Sequence, residues 1–200
     1  INFNIIKKKN FLIKNNIDIN KFNIFYTGTL ALKHNPEIIL KIAEENKNIQ
    51  IIIFGIGSGF DKLKSNKNLN KNIILFPLQP FNMLNDLLNS ADLFLCILNK
   101  DAGKYSVPSK ILNYLCAGRP IIMCGPQTNL ASKIIKNSNS GIIYESGDLK
   151  EINKFINKIQ TNIDYKNKLS NNARKYAEQN FDIKKISLSF ENIINNELKK

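Results

Sequence analysis

The chain is poor in the residues that build metal centres and in those that read nucleic acid bases. One histidine, His34, cannot assemble a metal site alone, and the three cysteines, Cys96, Cys116 and Cys124, are odd in number, lack ligand spacing and sit in apolar stretches. They read as reduced, buried small hydrophobes of a cytosolic protein, not as a disulfide frame. Arginine is limited to Arg119 and Arg174. A base-reading surface favours clustered arginine for bidentate contacts, so no nucleic acid partner is expected. Acidic residues are also few: 16 Asp+Glu against 29 Lys+Arg give a formal charge of +13. Such a charge ordinarily raises nucleic acid, an anionic membrane surface or phosphorylated substrates. Yet 27 of the 29 basic residues are lysine, beside 33 isoleucines and 32 asparagines. An AT-rich coding sequence imposes that skew, so most of the charge is compositional and only the remainder points to an anionic partner. Long hydrophobic runs are missing too. The longest, Ile49 to Ile56, is broken by Gln50 and Gly55 and falls well short of the roughly 20 residues of a bilayer crossing. With neither an initial methionine nor a basic-then-apolar leader, Ile1 is read as a fragment boundary.

What the chain does have is core material, 43% hydrophobic residues over 200, enough for one large domain. Continuous β-branched and aromatic runs predict strands at 23–27, 49–54, 72–76, 93–98, 120–123 and 141–144, suited to a sheet buried on both faces. Between them, segments of helical period predict helices at 36–46, 59–67, 82–90, 108–117, 130–137 and 149–160. Two further amphipathic helices, at about 165–179 and 183–198, close the chain with no strand after them. Six strand–helix alternations imply an α/β fold with a doubly wound, Rossmann-like six-stranded parallel sheet. Residues 23–200 are read as one domain, and the Lys/Asn-rich stretch 1–22 as a lead-in or linker. Ligands of such sheets lie beyond the carboxyl ends of the strands, near the reversal of strand order. The loops 28–35, 55–60, 77–81, 99–107 and 124–129 are therefore the candidates for function.

Gly55-Ile56-Gly57-Ser58-Gly59 suggests a dinucleotide fingerprint, but its third glycine comes one residue early and no acidic residue follows at the ribose position. It is either a tight strand-to-helix turn or a place where a ligand nears the backbone. In the first loop, Gly28 allows close approach, and Lys33, just before the helix begun by Pro36, is placed to meet an anion. His34 reads as an ordinary loop residue. The richest segment runs from Tyr105 through Val107-Pro108-Ser109-Lys110-Ile111-Leu112-Asn113-Tyr114 to Gly118-Arg119-Pro120. Pro108 sets a helix start, Ser109 and Asn113 share a helix face, and Lys110 stands at the N-terminus, where free N–H groups and lysine together suit a pyrophosphate.

This segment, Val107 to Pro120 followed by Ile121-Ile122, resembles the Pro-Ser-Lys…Glu-Tyr…Ala-Gly-x-Pro motif of family 4 glycosyltransferases of the GT-B fold, most of all those building capsular, O-antigen and exopolysaccharide repeats. Tyr26 to Leu30, Ile53 to Ser58 and Ser90 to Leu95 match three further family motifs in order. The resemblance implies the C-terminal, nucleotide-sugar-binding half of a two-domain enzyme whose N-terminal acceptor half is absent. The same resemblance implies transfer of a sugar, with retention, from a nucleotide diphosphate donor, expected to be UDP-linked, to a lipid-linked or polysaccharide acceptor. By the same resemblance Gly28, Thr29 and Lys33 face the donor phosphates, Gly57 passes close to the nucleotide and the backbone at Leu78 meets the base. Ser109 and Lys110 hold the pyrophosphate, and Asn113 holds the ribose. Lys33 and Lys110 carry the charge that assists catalysis, with neither metal nor cofactor implied. Tyr105 and Asn113 stand where many relatives have two glutamates, and Thr29 where they have a basic residue. A cytoplasmic enzyme, peripheral at the inner membrane face, is implied. The alternatives are a nucleotide-sugar-binding module without transferase activity and a domain similar to UDP-sugar 2-epimerases of the same fold.

Overall fold

The computed structural model describes residues 10–99, 108–145 and 149–198 and, of Lys33, the backbone alone. The six apolar runs become β1 (Phe22–Thr29), β2 (Ile49–Ile56), β3 (Ile73–Phe76), β4 (Leu93–Ile97), β5 (Ile121–Cys124) and β6 (Gly141–Tyr144). They form one sheet in the order β3-β2-β1-β4-β5-β6, with every pairing parallel. The helices are α1 (Asn10–Lys14), α2 (Glu37–Glu45), α3 (Ser58–Ser65), α4 (Leu84–Ser90), α5 (Lys110–Cys116), α6 (Leu130–Ser138), α7 (Lys150–Thr161), α8 (Ile163–Asn180) and α9 (Ile183–Leu198). The expected α/β, doubly wound architecture with two extra C-terminal helices is the one observed.

Because both faces of a parallel sheet are covered, its strands bury consecutive side chains. Ile24 and Tyr26 enter one core with Ile51, Ile53, Ile39 and Ile156. Phe25 enters the opposite core with Ile52, Phe54, Phe94 and Tyr114. Part of the stretch read as a lead-in, α1, joins the second core. α1 buries Phe11 and Leu12 completely, and the Phe11 ring stands edge-on to Phe54 and Phe76, 5.1 and 5.7 Å between centroids. Burying two such side chains stabilises by about 3–6 kcal/mol, so this short helix belongs to the domain. α9 is the opposite case. Its residues are apolar at Ile183, Ile186, Phe190 and Ile194, yet none is buried.

Three charged side chains fix the end of the sheet remote from the loops of interest. Asp92, at the start of β4, pairs with Lys166 of α8 at 2.6 Å and accepts the amide of Asn23 at 3.1 Å, both charged side chains being almost wholly buried. Arg119 donates to the carbonyls of Asn89, Ala91, Ala117 and Gly118, at the ends of α4 and α5. These bonds satisfy carbonyls a helix terminus leaves without partners.

Candidate functional site

Strand order reverses between β1 and β4, where a crevice opens in sheets of this kind. β1 pairs with β2 along its whole length, from Phe22 to Thr29. With β4 it shares only Ile24 opposite Leu93 and Phe25 opposite Phe94. Beyond those residues the two strands part. The next β1 amide on that edge, Thr27, donates to the Tyr114 hydroxyl of α5 at 3.0 Å, and the Thr27 and Tyr114 hydroxyls lie 3.1 Å apart. The Tyr114 ring lies flat against Phe94, 4.0 Å between centroids. Burial pushes its hydroxyl pKa well up, so it stays protonated.

One helical turn before Tyr114, Lys110 reaches from α5 into the parting. Its Nζ sits 3.9 Å from the centroid of the Tyr26 ring, although Tyr26 belongs to the core on the other face of the sheet. The ring is itself fixed by its hydroxyl, which donates to the Thr29 carbonyl at 2.6 Å. Lys110 Nζ also lies 3.6 Å from where a Cβ on Gly28 would stand, and Gly28 has a φ of +98°. Glycine therefore serves twice here, adopting a left-handed conformation and leaving space beside an ammonium group. Burial lowers the Lys110 pKa to about 8, while it raises that of the neighbouring Cys96 thiol to about 12. No carboxylate among the described residues pairs with Lys110, and the aromatic face supplies only part of what water would. A half-buried cation so placed has the chemistry to receive an anion.

The glycine-rich turn after β2 has a packing duty. Gly57 takes a φ of +112°, and a Cβ on Gly59 would stand 2.9 Å from the Leu30 carbonyl oxygen. That oxygen accepts from the amides of Gly59 and Phe60, at 2.9 and 3.1 Å. The start of α3 is thereby capped by the first loop, and the two loops are joined as one rim. Asn113 is half-buried and lines a groove of about 680 Å³ between α5, the end of α8 and the start of α9. Thr29 and Ser109 are exposed at the rim, and Leu78 stands exposed beyond the end of β3. His34 accepts the Ala31 amide through Nδ1 at 3.2 Å, a turn-forming role. The side chain of Lys33 and all of Tyr105 lie outside the described residues.

Of the site residues expected from sequence, Gly28 and Lys110 are thus brought into contact. Tyr26, Thr27 and Tyr114, given no role by the sequence reading, complete the crevice. The spacing of Tyr114 four residues after Lys110 was the available signal, since it puts both on one helix face. Among the described residues no three His, Cys, Asp or Glu side chains cluster, and no helix is long and apolar enough to cross a membrane.

Comparison with known proteins adds to this geometry. Residues 7–176 match the family described as Glycosyl transferases group 1. The chain is 28% identical over 113 residues to an Escherichia coli K12 protein named for colanic acid biosynthesis glycosyl transfer, WcaI, covering 53% of this chain and 28% of that one. It superposes with a TM-score of 0.76 on HepE of Anabaena in complex with UDP-glucose, at 15% identity, over 95% of this chain and 52% of that one. The C-terminal domain of the Francisella tularensis group 1 glycosyl transferase LpcC gives 0.65 at 13% identity, over 88% and 93%. Those identities show the fold alone. The chain spans less than half the length of the curated relatives it matches.

Proposed function

This chain belongs to the glycosyl transferases group 1 family, and on that premise we propose that the β1–β4 crevice binds a nucleotide diphosphate sugar, with UDP as the nucleotide. The observation that carries this reading is the Lys110 ammonium, held over Tyr26 and beside Gly28 at the strand reversal with no carboxylate partner among the described residues. A diphosphate supplies the missing counter-charge. As the sugar departs, negative charge grows on the diphosphate, and a cation already desolvated and oriented stabilises it without reorganisation.

On this reading the protein is the donor half of a family 4 enzyme of the capsule, O-antigen or exopolysaccharide type. Gly28, Thr29, Lys33, Ser109 and Lys110 surround the phosphates, Asn113 meets the ribose, Gly57 and Leu78 lie along the nucleoside, and Tyr105 faces the donor sugar. A separate N-terminal half holds a lipid-linked or polysaccharide acceptor at the cytoplasmic face of the membrane. UDP in the HepE complexes and the colanic acid name of the E. coli relative support the nucleotide and the polysaccharide, respectively.

Calorimetry with UDP tests this. Lys110→Ala is expected to weaken binding ten- to a hundredfold, about 1.5–3 kcal/mol, with the difference shrinking as salt is added. A wild-type chain that binds none of UDP, GDP or ADP at millimolar concentration overturns the reading. Equal binding by Lys110→Ala moves the anion away from α5.

A further inference from the structure

Tyr114 is wholly buried, and packing alone does not account for its hydroxyl. The ring's stacking on Phe94 needs no oxygen, so phenylalanine would fill the same space. What the oxygen does is take the Thr27 amide at the point where β1 has lost β4 as a partner. An amide turned in from water and left without an acceptor is costly, and that of Thr27 is half-buried. The strand acceptor that would replace that oxygen is on β4, and continued pairing there would close the parting. Lys110, one turn earlier on the same face of α5, holds its Nζ 3.9 Å from the Tyr26 ring centroid beside that parting.

We propose that Tyr114 is a positioning residue for the donor site, its hydroxyl pegging β1 and β4 apart so that Lys110 can stand beside Gly28. The proposal rests on the donor-binding reading for its consequence in affinity, but its geometric part is separable from it. The peg is short and rigid: a ring clamped on Phe94 at one end and two contacts to Thr27 at the other. It couples the position of α5 to the last residues of β1 through side chain and backbone together. Thr27 contributes through its amide, which any residue but proline supplies, and through its hydroxyl, which few do.

Tyr114→Phe tests the peg by two measurements on the full chain. UDP affinity is expected to fall about tenfold, the size of one lost hydrogen bond, and to fall no further when the substitution is made in a Lys110→Ala background. In lysine Cε-labelled protein followed by NMR, with Lys110→Arg assigning the signal, the Lys110 titration midpoint is expected to rise toward that of an ordinary lysine as the side chain is displaced into water. Thr27→Val, which keeps the amide and removes one hydroxyl, should give a smaller change of the same kind and serves if Tyr114→Phe does not fold. An unchanged midpoint together with unchanged UDP affinity overturns the proposal. So does an equal loss of affinity in the Lys110→Ala background, which would mark Tyr114 as merely structural. If the wild type binds no UDP, the donor reading fails, and the titration alone decides the role of Tyr114.

Discussion

Lys110 is a lysine whose environment has been arranged so that half its charge is within reach of physiological pH. Burial favours the neutral amine and lowers its pKa to about 8, whereas a diphosphate beside Nζ favours the ammonium form. The sign follows from linkage: bound protein holds more protons than free protein, so UDP binding takes up protons and weakens as pH rises above 8. At pH 8, where the free amine is half protonated, uptake should approach about 0.5 proton per UDP bound. Calorimetry in buffers of different ionisation enthalpy measures this directly, and Lys110→Ala should abolish it. An enthalpy independent of buffer would show that Lys110 does not meet the anion. Lys110 could be singled out in the sequence because a lysine after Pro-Ser at a helix start has a local meaning. The ring beneath it could not, since Tyr26 is 84 residues away in the chain.

At the scale of elements, a few of the charges in this basic sequence are structural. Lys166 is one of 27 lysines, yet it is buried against Asp92 and ties α8 to the start of β4. Removing one partner of such a pair leaves the other charge uncompensated, which costs more than the pair contributes. Lys166→Met should therefore destabilise by about 3 kcal/mol, a fall of roughly 6–12 °C in Tm for a chain of this length. The double variant with Asp92→Asn should recover part of it. A Tm within 2 °C of wild type, by the same calorimetric scan, would show the pair to be dispensable. α1 teaches the complementary lesson. Its two buried residues, Phe11 and Leu12, lie in a stretch of lysine and asparagine too short to show a period, and only the groove between α4 and the phenylalanines of β2 and β3 makes them core.

The whole molecule is a finished sheet carrying an unfinished surface. α9 has an apolar stripe and no buried residue, and its start borders the groove lined by Asn113. Since it adds little burial, truncation after Asp182 should leave the cooperative unfolding transition in place, with Tm lowered by no more than about 2 °C. Helical circular dichroism should fall by the share of the lost helix. A large loss of stability would mean that α9 packs on the domain after all. Phe181, by contrast, should be kept in such a truncation, because its ring meets Tyr176 at 5.9 Å between centroids.

From the sequence alone the six strands and the helices between and after them were legible, and the loops at the carboxyl ends of the strands stood out as the place to look for a ligand. Both follow from local facts: β-branched runs exclude water on two faces, helical segments bury one stripe, and crossovers between parallel strands have a fixed hand. The tertiary structure alone decided the strand order, the early parting of β1 from β4, the burial of Lys166 and Arg119, and the meeting of Lys110 with Tyr26. Each depends on contacts between residues tens of positions apart. Whether an amide finds a strand or a tyrosine hydroxyl is settled by where two backbones diverge, a distance no stretch of sequence encodes on its own.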